Sequence, residues 1–376
     1  MNIILFVLSL SLLIFIHEFG HFLFAKLFNV YCLEFSIGMG PAIFSKKLKK
    51  DTETTYSLRC LPIGGYVSMA GEDSENESVK DLEIPYQRTI NGITPWKRAI
   101  VTIAGVTFNF IFALILIAIY IFSTGVSTED NTINVVNNSI AEKSGLSNGD
   151  KIVAVKDIQI LSNGTTIYQD CTNTRCAIPY FNTFYVYLNN DQINDSIKDH
   201  LDTTLTQEVT IIYTHKGTSS ELTTSLVREY KNGEFPLLGI NEATKMPNFF
   251  EGIGLTFKTF GQIIVLMGKA IASLFTPEGF NSLGGVVSMY QSSKTMASEG
   301  ILSYIWYLAI ISVNLGFFNL LPIPALDGAR FYISIFEGVT KKKLNPKVEG
   351  YMNLCGIIVL FSLMIVVTIK DIVLLF

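Results

Sequence analysis

Charge is what this 376-residue chain has least of. Asp, Glu, Lys and Arg make up 16% of it, against roughly 25% in an ordinary soluble domain. That scarcity argues against a freely soluble enzyme. No stretch gathers Lys and Arg into a basic stripe, and the net charge is only −4, so nucleic acid is not an expected partner. Cysteine gives no metal signal either. The five cysteines lack zinc-finger spacing, and Cys32, Cys60 and Cys355 stand alone. Cys171 and Cys176, in DCTNTRC, are close enough to pair if their loop faces an oxidising space, and read equally well as two free thiols.

What remains is apolar. Hydrophobic residues make up 49% of the chain, and the mean hydropathy is +0.39. This balance points to a polytopic α-helical membrane protein. Four runs approach the roughly 20 residues that cross a bilayer. They begin at Met1, at about Ala99, at about Ile301 and at about Tyr351. The first is not read as a secretion signal, since it has no basic start, no small-residue cleavage site, and polar residues inside its apolar stretch. A fifth run, about Gly252 to Phe275, carries Lys258 and Lys269. It reads as an amphipathic helix on the membrane surface, with a further span as the alternative.

The segments that follow are a first transmembrane helix at 1–28, a membrane-associated β region at 29–97 and a second transmembrane helix at 98–123. An inserted soluble domain then occupies 124–245, and an amphipathic helix with linker 246–300. A third transmembrane segment covers 301–330 and a fourth 350–372. Ten Lys and Arg lie in 25–98 and five in 325–350, whereas the much longer stretch 123–300 holds twelve. By the positive-inside rule the first and third loops are cytoplasmic and the soluble domain lies outside. That domain shows short β-rich runs such as KIVAVKDIQI and QEVTIIYTH with NG and KG turn signals. Residues 164–200 read as an irregular insertion.

The first apolar run contains HEFGH. Residues four apart share one helix face, so His17 and His21 can bind one zinc ion, with Glu18 beside it as general base. Zinc lowers the pKa of bound water from about 16 to about 7, which makes hydroxide available at neutral pH. Two histidines and a glutamate in an apolar helix are costly unless paired, metal-bound or facing a wet cavity. The chain has only four histidines, and the other two, His200 and His215, lie in the soluble loop. A catalytic zinc usually takes a third protein ligand. Asp327 is the best candidate, in NLLPIPALDGAR at a membrane border, although Asp-Gly is also a common turn pair.

Together these residues resemble the site-2 protease family of intramembrane zinc proteases, and among its branches the bacterial regulator-of-sigma-E protease type. HEFGH matches the family's HExGH, and NLLPIPALDG its third-ligand motif. SIGMGP (36–41) and LPIGGYVSMAGE (61–72) resemble the membrane-associated β-hairpin region. SIAEKSGLSNGDKIVAVKDIQI (139–160) resembles the start of a bacterial PDZ domain. AGVTFNF (104–110) keeps Gly105, Asn109 and Phe110 of a second-span motif but lacks its usual proline. Where the family often has a second glycine after Asp-Gly, this chain has Ala329.

The resemblance implies Zn2+ as cofactor, His17, His21 and Asp327 as ligands, and Glu18 as catalytic base. It also implies that Asn319, Pro322 and Pro324 help to hold substrate. The Gly64–Gly65 region is expected to pair with an extended substrate through its strand edge. Asn314 reads as a polar residue satisfied within helix packing. The expected partners are single-span membrane proteins, the lipid bilayer and an upstream site-1 type protease, in the bacterial cytoplasmic (inner) membrane. Three other readings compete: a membrane-anchored zincin with a soluble site, a metal transporter or sensor using the same residues, and an inactive scaffold.

Overall fold

The computed structural model describes residues 2–49, 51–72, 84–128, 130–171, 176–177, 188, 191–198, 200–201, 203–215, 218, 220–230, 235–273, 276 and 284–373. The chain forms two compact units, one of residues 1–123 with 248–376 and one of residues 124–247. In chain order the elements begin with α1 (Asn2–Leu27), β1 (Cys32–Leu48), β2 (Asp51–Met69) and α2 (Pro95–Thr124). The second unit holds β3 (Val126–Ser127), β4 (Ile133–Val135), α3 (Ile140–Lys143), β5 (Lys151–Ser162), β6 (Thr165–Asp170) and β7 (Cys176–Ala177). It continues with α4 (Asp191–Lys198), β8 (Leu205–Thr214), β9 (Glu221–Glu229), β10 (Ile240–Glu242) and β11 (Thr244–Lys245). The first unit closes with α5 (Phe249–Ser273), α6 (Val286–Glu299), α7 (Ile301–Leu320), α8 (Asp327–Thr340) and α9 (Pro346–Val373).

Five helices (α1, α2, α5, α7 and α9) are long and apolar enough to cross a membrane. The sequence reading counted four and laid the fifth run on the surface. That run forms α5, which spans 25 residues and meets the same length and composition measure as the others. Large apolar side chains face outward along these helices. Ile111, Ile115 and Ile119 form one stripe on α2, and Phe250, Phe257 and Val265 stand out from α5. Surfaces of this kind suit hydrocarbon rather than water.

Helix α1 ends in a Schellman turn. Asn29 adopts φ 61°, its N–H donates to Lys26 O at 3.0 Å, and Val30 N–H donates to Ala25 O at 2.8 Å. The turn delivers the chain into β1. The first half of β1 is flanked on both sides by β2, because Ser36 pairs with Tyr66 and also with Ser57. Phe35 anchors this sheet on α1, with its ring centroid 4.8 Å from Phe22 and 5.7 Å from Phe15. Glu34 ties the strands laterally through Arg59 (2.7 Å) and the Tyr66 hydroxyl (2.6 Å). Burial works against ionisation of Glu34, yet hydrogen bonds from Ser57, Tyr66 and Arg59 hold its carboxyl below the ordinary range. On its other side, the stretch Gly65–Met69 pairs with no further strand among the described residues.

The segment expected as one span at 301–330 is broken. Helix α7 stops at Leu320, and Pro322 and Pro324 prevent it from continuing. Ala325 sits at φ 78°, a left-handed conformation that costs a non-glycine residue about 1–2 kcal/mol. Its N–H donates to Asn353 of α9 at 3.2 Å, which helps to hold it there. Helix α8 then starts at Asp327, inside what was read as a loop from 325. Elsewhere Asp371, near the end of α9, caps α6 by accepting from Gly285 N (2.9 Å) and Ser288 N (3.0 Å).

The second unit is built on a sheet ordered β6-β5-β8-β9, with β7 also paired to β5. Strand β8 alternates strictly: Leu205, Gln207, Val209, Ile211 and Tyr213 turn into the core. Gln207 is tolerated there because Arg228 Nε donates to its side-chain oxygen at 2.5 Å. Ser139 caps α3 by accepting from Glu142 N. Cys171 and Cys176 are disulfide-bonded, which decides between the two readings of that loop. The stretch read as irregular, 164–200, contains β6, β7 and α4, and much of the rest lies outside the described residues.

Candidate metal centre

The site forms where α1, α2 and the start of α8 meet. His17 and His21 lie one turn apart on α1, and both are buried. Asp327 is the first residue of α8. Its Oδ2 lies 2.8 Å from His17 Nε2 and 3.2 Å from His21 Nε2. The two Nε2 atoms are 3.2 Å apart. One ligand atom from each residue therefore falls within 4.8 Å of the others, close enough for all three to hold a single ion. Two imidazole nitrogens and a carboxylate oxygen form a donor set that suits zinc and leaves a coordination position open. The other ring nitrogens have their own partners: His21 Nδ1 meets the Val101 carbonyl at 2.8 Å, and His17 Nδ1 meets the Asn109 amide at 3.0 Å.

Two glycines let α2 come this close. A Cβ on Gly20, the glycine of HEFGH, would lie 2.6 Å from the Ala104 carbonyl oxygen. A Cβ on Gly105 would lie 2.8 Å from His17 Nε2. The Asp-Gly pair has a similar cause, since a Cβ on Gly328 would lie 2.6 Å from the Leu320 carbonyl carbon. Only a side-chain-free residue lets α8 turn back under the end of α7. Phe110 of α2 packs against Gly316 of α7, where a Cβ would lie 2.8 Å from its Cδ1.

Glu18 is half-buried, and its side chain has no hydrogen-bond partner among the described residues. Its Cγ would lie 3.9 Å from a Cβ on Gly65, so the glycine pair of β2 passes directly over it. Gly64 adopts φ 81°. Asn319 is half-buried near the end of α7, and Pro322 and Pro324 form the break ahead of Asp327. The Oδ1 of Asn314 is buried without a partner among the described residues, which departs from the expectation of a satisfied packing residue.

Sequence reasoning gave no role to several groups that surround this centre. Arg330, one turn along α8 from Asp327, pairs with Glu72 just beyond β2. Arg98 of α2 pairs with Glu337 of α8 and donates to Ser334 at 2.9 Å. These residues border a cavity of about 430 Å³ lined in part by Glu72, Asn91, Arg98, Arg330, Glu349 and Asn353. Asn109 was marked only through the resemblance of AGVTFNF to a second-span motif, with no role attached to it. The carbonyl of Val101 carries no sequence signal at all.

The model of peptidase family M50 matches residues 5–363. Two clostridial proteins, each named putative zinc metalloprotease, align along almost the whole chain. The one from Clostridium perfringens is 32% identical over 99% of each chain. The one from Clostridium acetobutylicum is 33% identical over 99% of this chain and 97% of its own. A protein of Enterococcus faecalis named probable protease eep is 28% identical over 99% of this chain and 98% of its own.

Proposed function

The chain belongs to peptidase family M50, the site-2 type of zinc-dependent metalloprotease, and from that premise we propose that it cuts single-span membrane proteins within or beside their membrane-spanning segments. The observation that carries this reading is the meeting of His17, His21 and Asp327 between helices long and apolar enough to cross a bilayer. Those three residues would hold the zinc. When bound, zinc polarises the scissile carbonyl and makes water a nucleophile at neutral pH.

The remaining steps belong to the chain itself. A Glu18 carboxylate oxygen takes the proton from the attacking water and passes it to the leaving amine nitrogen. The polar cavity lined in part by Arg98, Arg330 and Glu72, close along α8 to Asp327, is a candidate source of the water that hydrolysis consumes. A peptide bond in a membrane helix is shielded by its own hydrogen bonds, so the substrate must unwind before cleavage. The unpaired side of Gly65–Met69 offers main-chain donors and acceptors to such an extended segment. Because Gly65 lies over Glu18, a strand added there runs close to the general base. By the family resemblance, Asn319, Pro322 and Pro324, at the broken end of α7, help to hold the substrate.

Charge distribution sets the orientation. The lysine- and arginine-rich 25–98 and 325–350 face the cytoplasm, and the second unit lies outside. That unit is a PDZ-like domain, supported by its β-rich build and its SGLSNGD turns at Gly145 and Gly149, both at positive φ. It acts as a filter that admits substrates already shortened by an upstream protease, in the inner membrane of a bacterium. Anti-sigma factors and remnant signal peptides have the single-span form this site requires.

The test compares wild type with Glu18→Gln in detergent, on a model single-span substrate, with zinc measured on the same samples. The expected result is about one zinc per chain in both and cleavage by wild type alone. Zinc in both with cleavage by neither, across a panel of substrates, would favour a transporter or scaffold instead.

A further inference from the structure

A neutral imidazole offers a metal one ring nitrogen and keeps a proton on the other. His21 shows how that choice is made here. Its Nδ1 lies 2.8 Å from the Val101 carbonyl oxygen, an atom that can only accept. The ring proton must therefore sit on Nδ1, and the Nε2 lone pair is left for the metal. The Nε2 of His17 is likewise the atom turned toward Asp327, at 2.8 Å. Its Nδ1 then needs an acceptor as well.

Among the described residues, the group placed to provide one is Asn109, at 3.0 Å, with 0% of the residue exposed. The amide presents Nδ2 to the ring, while Oδ1 is buried with no partner among the described residues. A half-turn of the carboxamide exchanges these atoms at almost no steric cost. One amide atom goes unpaired either way, so the ring decides the orientation. With Nδ2 toward the ring, His17 carries its proton on Nε2 and donates to Asp327, which blocks ligation. With Oδ1 toward the ring, His17 Nδ1–H donates to Asn109 and Nε2 is free.

We propose that Asn109 is a positioning residue which accepts the His17 Nδ1–H and thereby holds the tautomer that can ligate zinc. Helix α2 then supplies both outer partners of the histidine pair, the Val101 carbonyl to His21 and the Asn109 side chain to His17. The inference rests on the reading of His17, His21 and Asp327 as zinc ligands. Asn109 is anchored independently of its side chain, because Ser312 of α7 donates to its backbone oxygen at 2.8 Å. Substitution of the amide should leave the helix seated.

The experiment measures zinc affinity by chelator competition on the full chain in detergent, for wild type, Asn109→Leu and Asn109→Asp. Leucine fills a similar volume and accepts nothing, whereas aspartate keeps the acceptor and loses the donor. Loss of an outer partner of a metal-bound histidine typically costs about 10- to 100-fold in affinity. The expected result is a loss of that size for Asn109→Leu and affinity within a few-fold of wild type for Asn109→Asp. Nitrogen-15 spectra of ring-labelled histidine in the zinc-loaded protein should show His17 protonated on Nδ1 in wild type, and this signature should change in Asn109→Leu. With four histidines in the chain the assignment is tractable. Wild-type affinity in Asn109→Leu, or an equal loss in both variants, would overturn the proposal. A wild type whose zinc binding is unchanged by His17→Ala would instead overturn the ligand reading on which it rests.

Discussion

Gly105 sits in α2 with no side chain, facing the two imidazoles. Replacing it with alanine adds one methyl group 2.8 Å from both His17 Cε1 and His17 Nε2, and nearer still to His21 Nε2. Apolar atoms settle at about 3.5 Å, so the His17 contacts alone require a shift of roughly 0.7 Å and the His21 contact more. The helices have little freedom to share that shift, because Gly20 already holds α1 against the Ala104 carbonyl. The rings give way instead, and their bonds to Asn109 and Val101 loosen. A metal site tolerates about 0.2 Å in its ligand distances. The displacement exceeds this several-fold, so zinc affinity should fall by at least the 10- to 100-fold typical of a disturbed outer shell, or about 1.4–2.7 kcal/mol. Overpacking should cost a further 1–3 kcal/mol or so of stability. Chelator competition, substrate cleavage and thermal unfolding in detergent would be read on one preparation. Gly261→Ala is the control: it makes the same exchange in α5 where nothing lies within 4 Å, and zinc and cleavage should be unchanged. Wild-type zinc affinity and cleavage in Gly105→Ala would refute the claim that α2 sets the geometry of the centre.

Gly65→Pro removes a main-chain donor from the edge strand, and Gly64→Pro forces φ from 81° to about −65°. Both should depress cleavage while zinc content stays at the wild-type level, and full cleavage by both would count against strand addition. Burial opposes ionisation of Asp51, but hydrogen bonds from Lys26, Thr54 and Tyr56 bring its pKa down from 3.8 to about 2. A depressed folded pKa gives stability that is complete above the ordinary value and is lost as pH falls through about 2. Asp51→Asn should therefore lose about 2 kcal/mol at neutral pH and show a flatter acid limb in urea or thermal unfolding between pH 5 and pH 2.

The parts of this molecule that were readable in advance are those that local physics dictates. HEFGH is informative because its spacing equals one helical turn and its polarity conflicts with the apolar run around it. Asp327 stood out for a related reason, as an acid beside a proline-broken membrane segment. The β-rich runs KIVAVKDIQI and QEVTIIYTH, which form much of β5 and β8, likewise follow a short-range rule. Span counting was less determined: Lys258 and Lys269 made α5 read as interfacial, while its 25 residues also meet the length and composition of a span. The break between α7 and α8 was harder still, because helical apolarity continues up to the prolines and the sharp return depends on Gly328 packing under Leu320.

What no local rule could supply is the contribution of α2. Its glycine and asparagine are ordinary residues in an apolar run until α1 is laid against them. Gly105 and Asn109 are four apart, so they share a face, and Val101 lies four residues before Gly105 on that same face. Seen along the helix, one stripe carries a bare carbonyl for one histidine, an empty space for both rings and an amide for the other histidine. The same period that makes HEFGH recognisable is present in α2, as V-x-x-x-G-x-x-x-N. The resemblance of AGVTFNF to a second-span motif marked Gly105 and Asn109 but gave them no role, because neither residue type is a usual zinc ligand. A metal centre built between membrane helices therefore needs two matched helical stripes, one of ligands and one of groups that leave room for the ligands and hold their protons.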